Sequence, residues 1–130
     1  MPKGRGYGRG RGRRQHIRRF LEPCLLVLLR KEESHGYSLI NGLQEFGFDS
    51  KSMDLSVLYR SLRDLESQGL ITGEWDTNSL GPQRRVYTIT SVGEAVLAEW
   101  ISELRQTRQQ VMALENAYQE IDLKQTNNKI

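Results

Sequence analysis

One cysteine, two histidines and three prolines in 130 residues leave little material for cross-links or metal cages. Cys24 alone cannot close an intramolecular disulfide, and its setting in Cys24-Leu25-Leu26-Val27-Leu28-Leu29 reads as a small buried hydrophobe. One thiol and two scattered imidazoles fall short of a closed metal site, so none is expected. Long apolar runs are missing too. None approaches the ~20 residues of a membrane span. The first residues are rich in Gly and Arg where a secretion signal is hydrophobic, which predicts a cytoplasmic protein with no membrane partner. Nucleophilic catalysis finds no base: His16 sits in the Gly/Arg-rich segment, and His35 opens a helix, where it caps or packs. The Gly-x-Gly repeats precede no helix opened by a strand, so they fail the context test for a phosphate loop. No catalytic residue and no cofactor are expected.

Charge is present, but unevenly. Residues 1 to 20 hold Lys3, Arg5, Arg9, Arg11, Arg13, Arg14, Arg18 and Arg19 and no acid, leaving 11 of the 19 bases against all 16 acids, a net charge of −5 for the rest. Such a body binds phosphate only through a local basic face. The Gly/Arg stretch, with maximal backbone freedom and almost nothing to bury, is expected to form a disordered basic arm over residues 1–19. Flexible arginines follow a phosphate backbone or a narrow minor groove. A solubilising tail, an RNA-binding Arg-Gly element and attraction to an anionic membrane surface are the other readings of the arm.

Helical spacing begins with Phe20, Leu21, Cys24, Leu25, Leu28 and Leu29, which predicts a helix from about Glu22 to Lys31 with Pro23 in its first turn. Ser34 is a plausible N-cap for a second helix with the stripe Tyr37, Ile40, Leu43 and Phe46, closed by Gly47. Asp54 caps a third helix over about Leu55 to Gln68, closed by Gly69. Its buried stripe is expected to be Leu55, Leu58, Leu62 and Leu65, with Val57 beside them. Ser56, Tyr59, Arg60 and Arg63 then fall on the outer side near the N-terminal turns. That placement suits a recognition helix, because base edges are met by N-terminal side chains and Arg bonds guanine with two parallel hydrogen bonds. The plainer reading pairs Arg60 and Arg63 with Asp64 and Glu66 at helical spacing.

The next segment favours the first reading. Leu70 to Trp75 and Arg84 to Thr90 are β-prone, and the turn formers Asp76 to Gln83 join them into a hairpin. A hairpin beside such a helix is a wing. Arg84 and Arg85 stand where its returning arm would grip phosphate, while Tyr87 and Ile89 point inward together by alternation. Trp75 is expected to pack in the core or at the wing base. The candidate contacts to double-stranded DNA are Lys51, Ser56, Tyr59, Arg60, Arg63, Arg84 and Arg85.

The last helix is expected over residues 91–122, with a disordered tail over 123–130. Ser91 and Glu94 read as a capping box. Leu97, Trp100, Leu104, Thr107, Val111, Leu114, Tyr118 and Ile121 then recur at alternating spacings of three and four residues. A seam of about 25 residues, nearly 40 Å at helical rise, is too long for so small a body to cover. A homodimer is expected, with Leu97, Trp100, Leu104, Val111, Leu114 and Tyr118 in its interface. The fold class is mainly α with a small β-hairpin wing: a winged helix-turn-helix over residues 20–90 followed by a long dimerisation helix.

Several strings carry a family likeness. His35-Gly36-Tyr37, then Leu58-Tyr59-Arg60-Ser61-Leu62-Arg63-Asp64-Leu65-Glu66-Ser67-Gln68-Gly69-Leu70-Ile71, then Arg85-Val86-Tyr87-Thr88-Ile89-Thr90 with Gly93, resemble the PadR family of bacterial winged-helix transcriptional regulators. The chain departs from that pattern at Arg60, where many relatives have proline, and in its Gly/Arg arm. The resemblance implies a dimeric repressor of the short kind with one C-terminal helix. It also implies that Trp100 lines a hydrophobic cavity at the dimer centre that takes a small planar aromatic ligand; simple core packing by Trp100 is the alternative. Two other functional classes stand beside this one: an RNA-binding protein working through the arm, and a dimeric protein-interaction module built on the long helix.

Overall fold

Leucine supplies most of the core, and the helices that carry it are placed by glycine and by short polar caps. The computed structural model describes residues 8–49, 51, 53–76, 81 and 83–128, with side chains from Phe20 to Thr126. Lys3, Arg5 and Tyr7 of the expected arm, the wing-tip residues 77–80 and the last two residues lie outside the described residues, as do the side chains of residues 8–19.

Helix α1 runs Gly8–Lys31, well ahead of the expected start at Glu22 and into the segment expected to lack structure. Arginine has a helix preference close to that of leucine, and arginines separate Gly8, Gly10 and Gly12. Pro23 therefore lies inside the helix, at the cost of one backbone hydrogen bond, and not in a first turn. The apolar half of α1 buries Leu21, Leu25 and Leu26 completely and Leu28 and Leu29 nearly so. Phe20 is half exposed and stacks on Phe48 at 5.8 Å.

Ser34 does not cap a helix. Ser34–His35 forms a short strand, β1, and helix α2 follows over Gly36–Gly42 with His35 at its N-cap position and no side-chain capping bond. A 3₁₀ turn, Leu43–Phe46, completes the element, and Gly47 closes it at φ 91°. Ile40 and Leu43 are buried as expected, but Leu39 takes the place of Tyr37, which is 71% exposed, and Phe46 is only partly covered. At Gly42 a β-carbon would stand 2.9 Å from Leu28, which is how closely α2 approaches α1.

Helix α3 spans Leu55–Ser67. Leu58, Leu62 and Leu65 are fully buried as expected, but Leu55 is 49% exposed because it lies in the first turn, beyond the edge of the core. Each fully buried leucine contributes roughly 1.5–3 kcal/mol relative to exposure. The helix ends in a Schellman turn: Leu70 N donates to Leu65 O at 3.0 Å and Gly69 N to Glu66 O at 3.0 Å, with Gly69 at φ 78°. The chain leaves this turn directly into strand β2, Ile71–Trp75, which pairs antiparallel with β3, Arg85–Ile89. β1 joins the other edge of β3, giving the order β1-β3-β2.

Helix α4, Ser91–Asn128, is capped by Thr90 and not by the expected Ser91–Glu94 box: Thr90 Oγ1 accepts from Gly93 N at 3.0 Å and donates to Gly69 O at 2.7 Å. Glu94 instead pairs with Arg30 at 3.3 Å. The helix continues past residue 122 through most of the expected tail. The chain divides into two compact units, Met1–Leu97 and Ala98–Ile130, the second consisting of the distal part of α4. In the second unit every described side chain from Arg105 to Thr126 is exposed, and Trp100 and Leu104 are half-buried. No helix among the described residues is long and apolar enough to cross a membrane.

Candidate nucleic-acid interface

The outer side of α3 is set up by its first residue pair. Asp54 accepts from Ser56 N at 2.9 Å and from Ser56 Oγ at 2.7 Å, closing the free amides of the first turn. The hydroxyl bond from Ser56 is the main reason the Asp54 carboxyl is held below its usual value; its backbone bonds and the nearby Arg60 add to this. Ser56 thus spends its hydroxyl proton on the cap and offers an approaching ligand only its lone pairs. Arg60 and Arg63 are exposed on this face, and Tyr59 is 38% exposed. Lys51 is exposed in the connection before α3, its backbone amide bonded to Asp49 Oδ1 at 3.0 Å.

The arms of the wing leave from a locked base. Asp76 N donates to Arg84 O at 2.7 Å, one step past the Trp75–Arg85 pair, and Asp76 Oδ2 lies 3.2 Å from His35 Nε2 on β1. His35 thus adds a side-chain bond between β1 and the wing to their strand pairing, in place of a side-chain cap on α2. Between the start of α2, the side of α3 and the wing opens a groove of about 490 Å³ lined by Tyr37, Tyr59, Trp75, Gln83, Arg84 and Tyr87, among others. Tyr37, Trp75 and Gln83 were not among the expected contacts. For Tyr37 the signal was misread, since a large ring at helical spacing was assigned to the buried stripe. Trp75 is 53% exposed, at the wing base but outside the core.

Arg84 is exposed at the start of the returning arm, as expected. Arg85 is not available in the same way. Its Nη2 donates to Glu66 Oε2 and to Gly73 O, each at 2.7 Å, and its guanidinium lies over the rings of Trp75 and Tyr87 at 5.4 and 6.0 Å. The arginine expected to grip phosphate thus holds internal bonds, and Glu66 pairs with Arg85 of β3 where the plainer reading paired it with an arginine of its own helix. Burial raises the Tyr87 hydroxyl above its usual value, with the neighbouring Arg85 opposing. Burial also pushes the Cys24 thiol up to about 11, which keeps it protonated and unreactive near neutral pH. Among the described residues no cluster of His, Cys, Asp and Glu could hold a metal ion.

A helix-turn-helix whose second helix presents arginines beside an antiparallel wing defines a winged-helix DNA-binding protein. The chain belongs to the PadR-like family of transcriptional regulators, which it matches over residues 25–99. It is similar in fold and sequence to a PadR family transcriptional regulator from Eggerthella lenta, at 34% identity and a TM-score of 0.66, covering 77% of this chain and 86% of that one. A PadR-like transcriptional regulator from Bacillus cereus gives 31% identity and a TM-score of 0.65, covering 77% and 95%. The negative transcriptional regulator PadR of Bacillus subtilis is 30% identical over 83 residues, which are 64% of this chain and 46% of that protein. The chain thus spans about half the length of that relative. Regulators of this family act by binding DNA and not by catalysis.

Proposed function

We propose that this protein is a homodimeric, cytoplasmic repressor that binds a roughly palindromic operator in double-stranded DNA. The observation that carries the reading is the exposure of Arg60 and Arg63, with Tyr59, on the outer face of α3 next to Arg84 at the wing. Arg63 and Arg60 meet base edges in the major groove, while Arg84 and Lys51 hold phosphate on either side. Tyr37 and Gln83, lining the groove between helix and wing, add contacts to the sugar-phosphate strand.

Pairing follows from the second unit taken by itself. Val111, Leu114, Tyr118 and Ile121 are 48–70% exposed and share one side of α4 at alternating spacings, an apolar seam that a second copy of the same helix would cover. Two copies place two α3 helices about 34 Å apart, one turn of duplex. Repression in this reading is steric, and it is released when a planar aromatic compound binds at Trp100.

Selection of bound sequences from random duplex DNA tests the whole of it. The expected result is a symmetric motif with half-sites one helical turn apart. Recovery of no motif, or preference for structured RNA over duplex at matched salt, would reject it. Titration with planar aromatic compounds while following Trp100 fluorescence tests the release step, and no response across a broad panel would remove it.

A further inference from the structure

Arg85 stands one residue from an exposed arginine on the wing, yet it turns inward and ties three elements together. From β3 its Nη2 uses both hydrogens, one on Glu66 in the last turn of α3 and one on the carbonyl of Gly73 in β2. The ring of Trp75, its register partner on β2, lies under the guanidinium at 5.4 Å. Gly73 is the seat of this arrangement: a β-carbon there would stand 2.6 Å from Nη2 and 2.9 Å from Nε. A carboxylate at 2.7 Å also cancels most of the attraction that the Arg85 charge would exert on phosphate.

We propose that Glu66, Gly73 and Arg85 form a positioning clamp that fixes the angle between α3 and the wing. DNA then meets the arginines of the helix and of the wing arm as one preset surface, with β2 and β3 already oriented before binding. Arg85 is a positioning residue in this scheme, acting through Arg84 and Tyr59 without touching DNA. The proposal rests on the DNA-binding reading above.

The clamp and a direct phosphate contact predict opposite outcomes for the loss of an acid. Removing a carboxylate from a surface that faces DNA ordinarily leaves binding unchanged or tightens it. If Glu66 holds the clamp, Glu66→Gln weakens binding to a labelled duplex carrying the selected motif by about tenfold at fixed salt. Gly73→Ala, which displaces the guanidinium but removes no charge, does the same. Neither changes the slope of log affinity against log salt, because no phosphate contact is lost. In a Trp100→Phe background, where Trp75 is the remaining tryptophan, both variants lower the fluorescence anisotropy of Trp75 and shift its emission to the red.

Binding of Glu66→Gln that equals or exceeds the parent overturns the clamp. So does a fall of about one in the salt slope for Arg85→Gln, which would mark Arg85 as a phosphate contact. The Trp75 signal needs no DNA, so it separates the two ideas. A parent protein that binds no duplex rejects the DNA-binding reading, whereas an unchanged Trp75 signal in Glu66→Gln rejects the clamp whatever the parent binds. Thermal melts run alongside show that each variant is folded, and Glu66→Asp, which keeps the charge but shortens the reach, replaces Glu66→Gln if the latter does not fold.

Discussion

The Cε1 atom of Tyr59 lies 2.8 Å from the place a β-carbon on Gly36 would take, so the start of α2 and the outer face of α3 touch through a missing side chain. The Gly in His35-Gly36-Tyr37 is therefore a contact requirement. In Gly36→Ala the obstacle is the end of a side chain that can swing away, so the melting temperature should change little. Tyr59 moves instead, and duplex affinity should fall by about threefold to tenfold, as for a lost or misplaced hydrogen bond. Binding titrations with a parallel melt decide this; a large drop in melting temperature with intact affinity would contradict it.

Gly93 presents the opposite case. A β-carbon there would collide with the backbone carbonyl of Leu70, and Ile89 Cγ1 stands 2.9 Å away. A backbone atom in the Schellman turn cannot step aside without moving the end of α3. Gly93→Ala should cost about 3 kcal/mol, the upper part of the range for overpacking. Urea unfolding, read at an unchanged m-value, measures it.

Arg63 and Arg84 should fail differently. Arg63→Ala should lose discrimination between the selected motif and random duplex by about 1–3 kcal/mol, while Arg84→Ala should weaken both alike and reduce the salt slope by about one. Paired titrations on both duplexes at several salt concentrations check this. Identical behaviour of the two variants would remove the division of labour between helix and wing.

Leu114 is 70% exposed on the distal part of α4. Leu114→Asp should yield a monomer in sedimentation velocity while leaving the first unit folded, since the charge would be desolvated only in the paired state. Affinity for a full palindrome should drop steeply and affinity for a half-site should not.

Asp54 makes α3 sensitive to acid. Hydrogen bonds from Ser56 hold its folded-state carboxyl below the usual value of 3.8, so the cap contributes stability above about pH 4 that is lost as pH falls through the lowered value. Asp54→Asn keeps a neutral acceptor in the same place. Its melting temperature should fall less than that of the parent between about pH 4.5 and 2.5, a range spanning the ordinary carboxylate value.

The helices with strong leucine spacing were readable from sequence, because Leu58, Leu62 and Leu65 at period 3.6 leave no other solution, and Gly47 and Gly69 were readable as left-handed stops. Ser34 and Ser91 were misread for one reason. A serine before an apolar run signals a cap, but at Ser34 strand pairing with Tyr87 took precedence, and at Thr90 the neighbouring hydroxyl had a second partner in Gly69 O. The internal bonds of Arg85 were not legible because adjacent arginines look equivalent in sequence, although only Arg85 carries an ion pair to α3. Its partner Glu66 lies 19 residues away on another element, a pairing that no local pattern encodes.

The wing ladder is extended by the Asp76–Arg84 bond and fastened to β1 by His35. A push on the arms of the wing is therefore carried into β1 and the start of α2 instead of being absorbed by the hairpin alone.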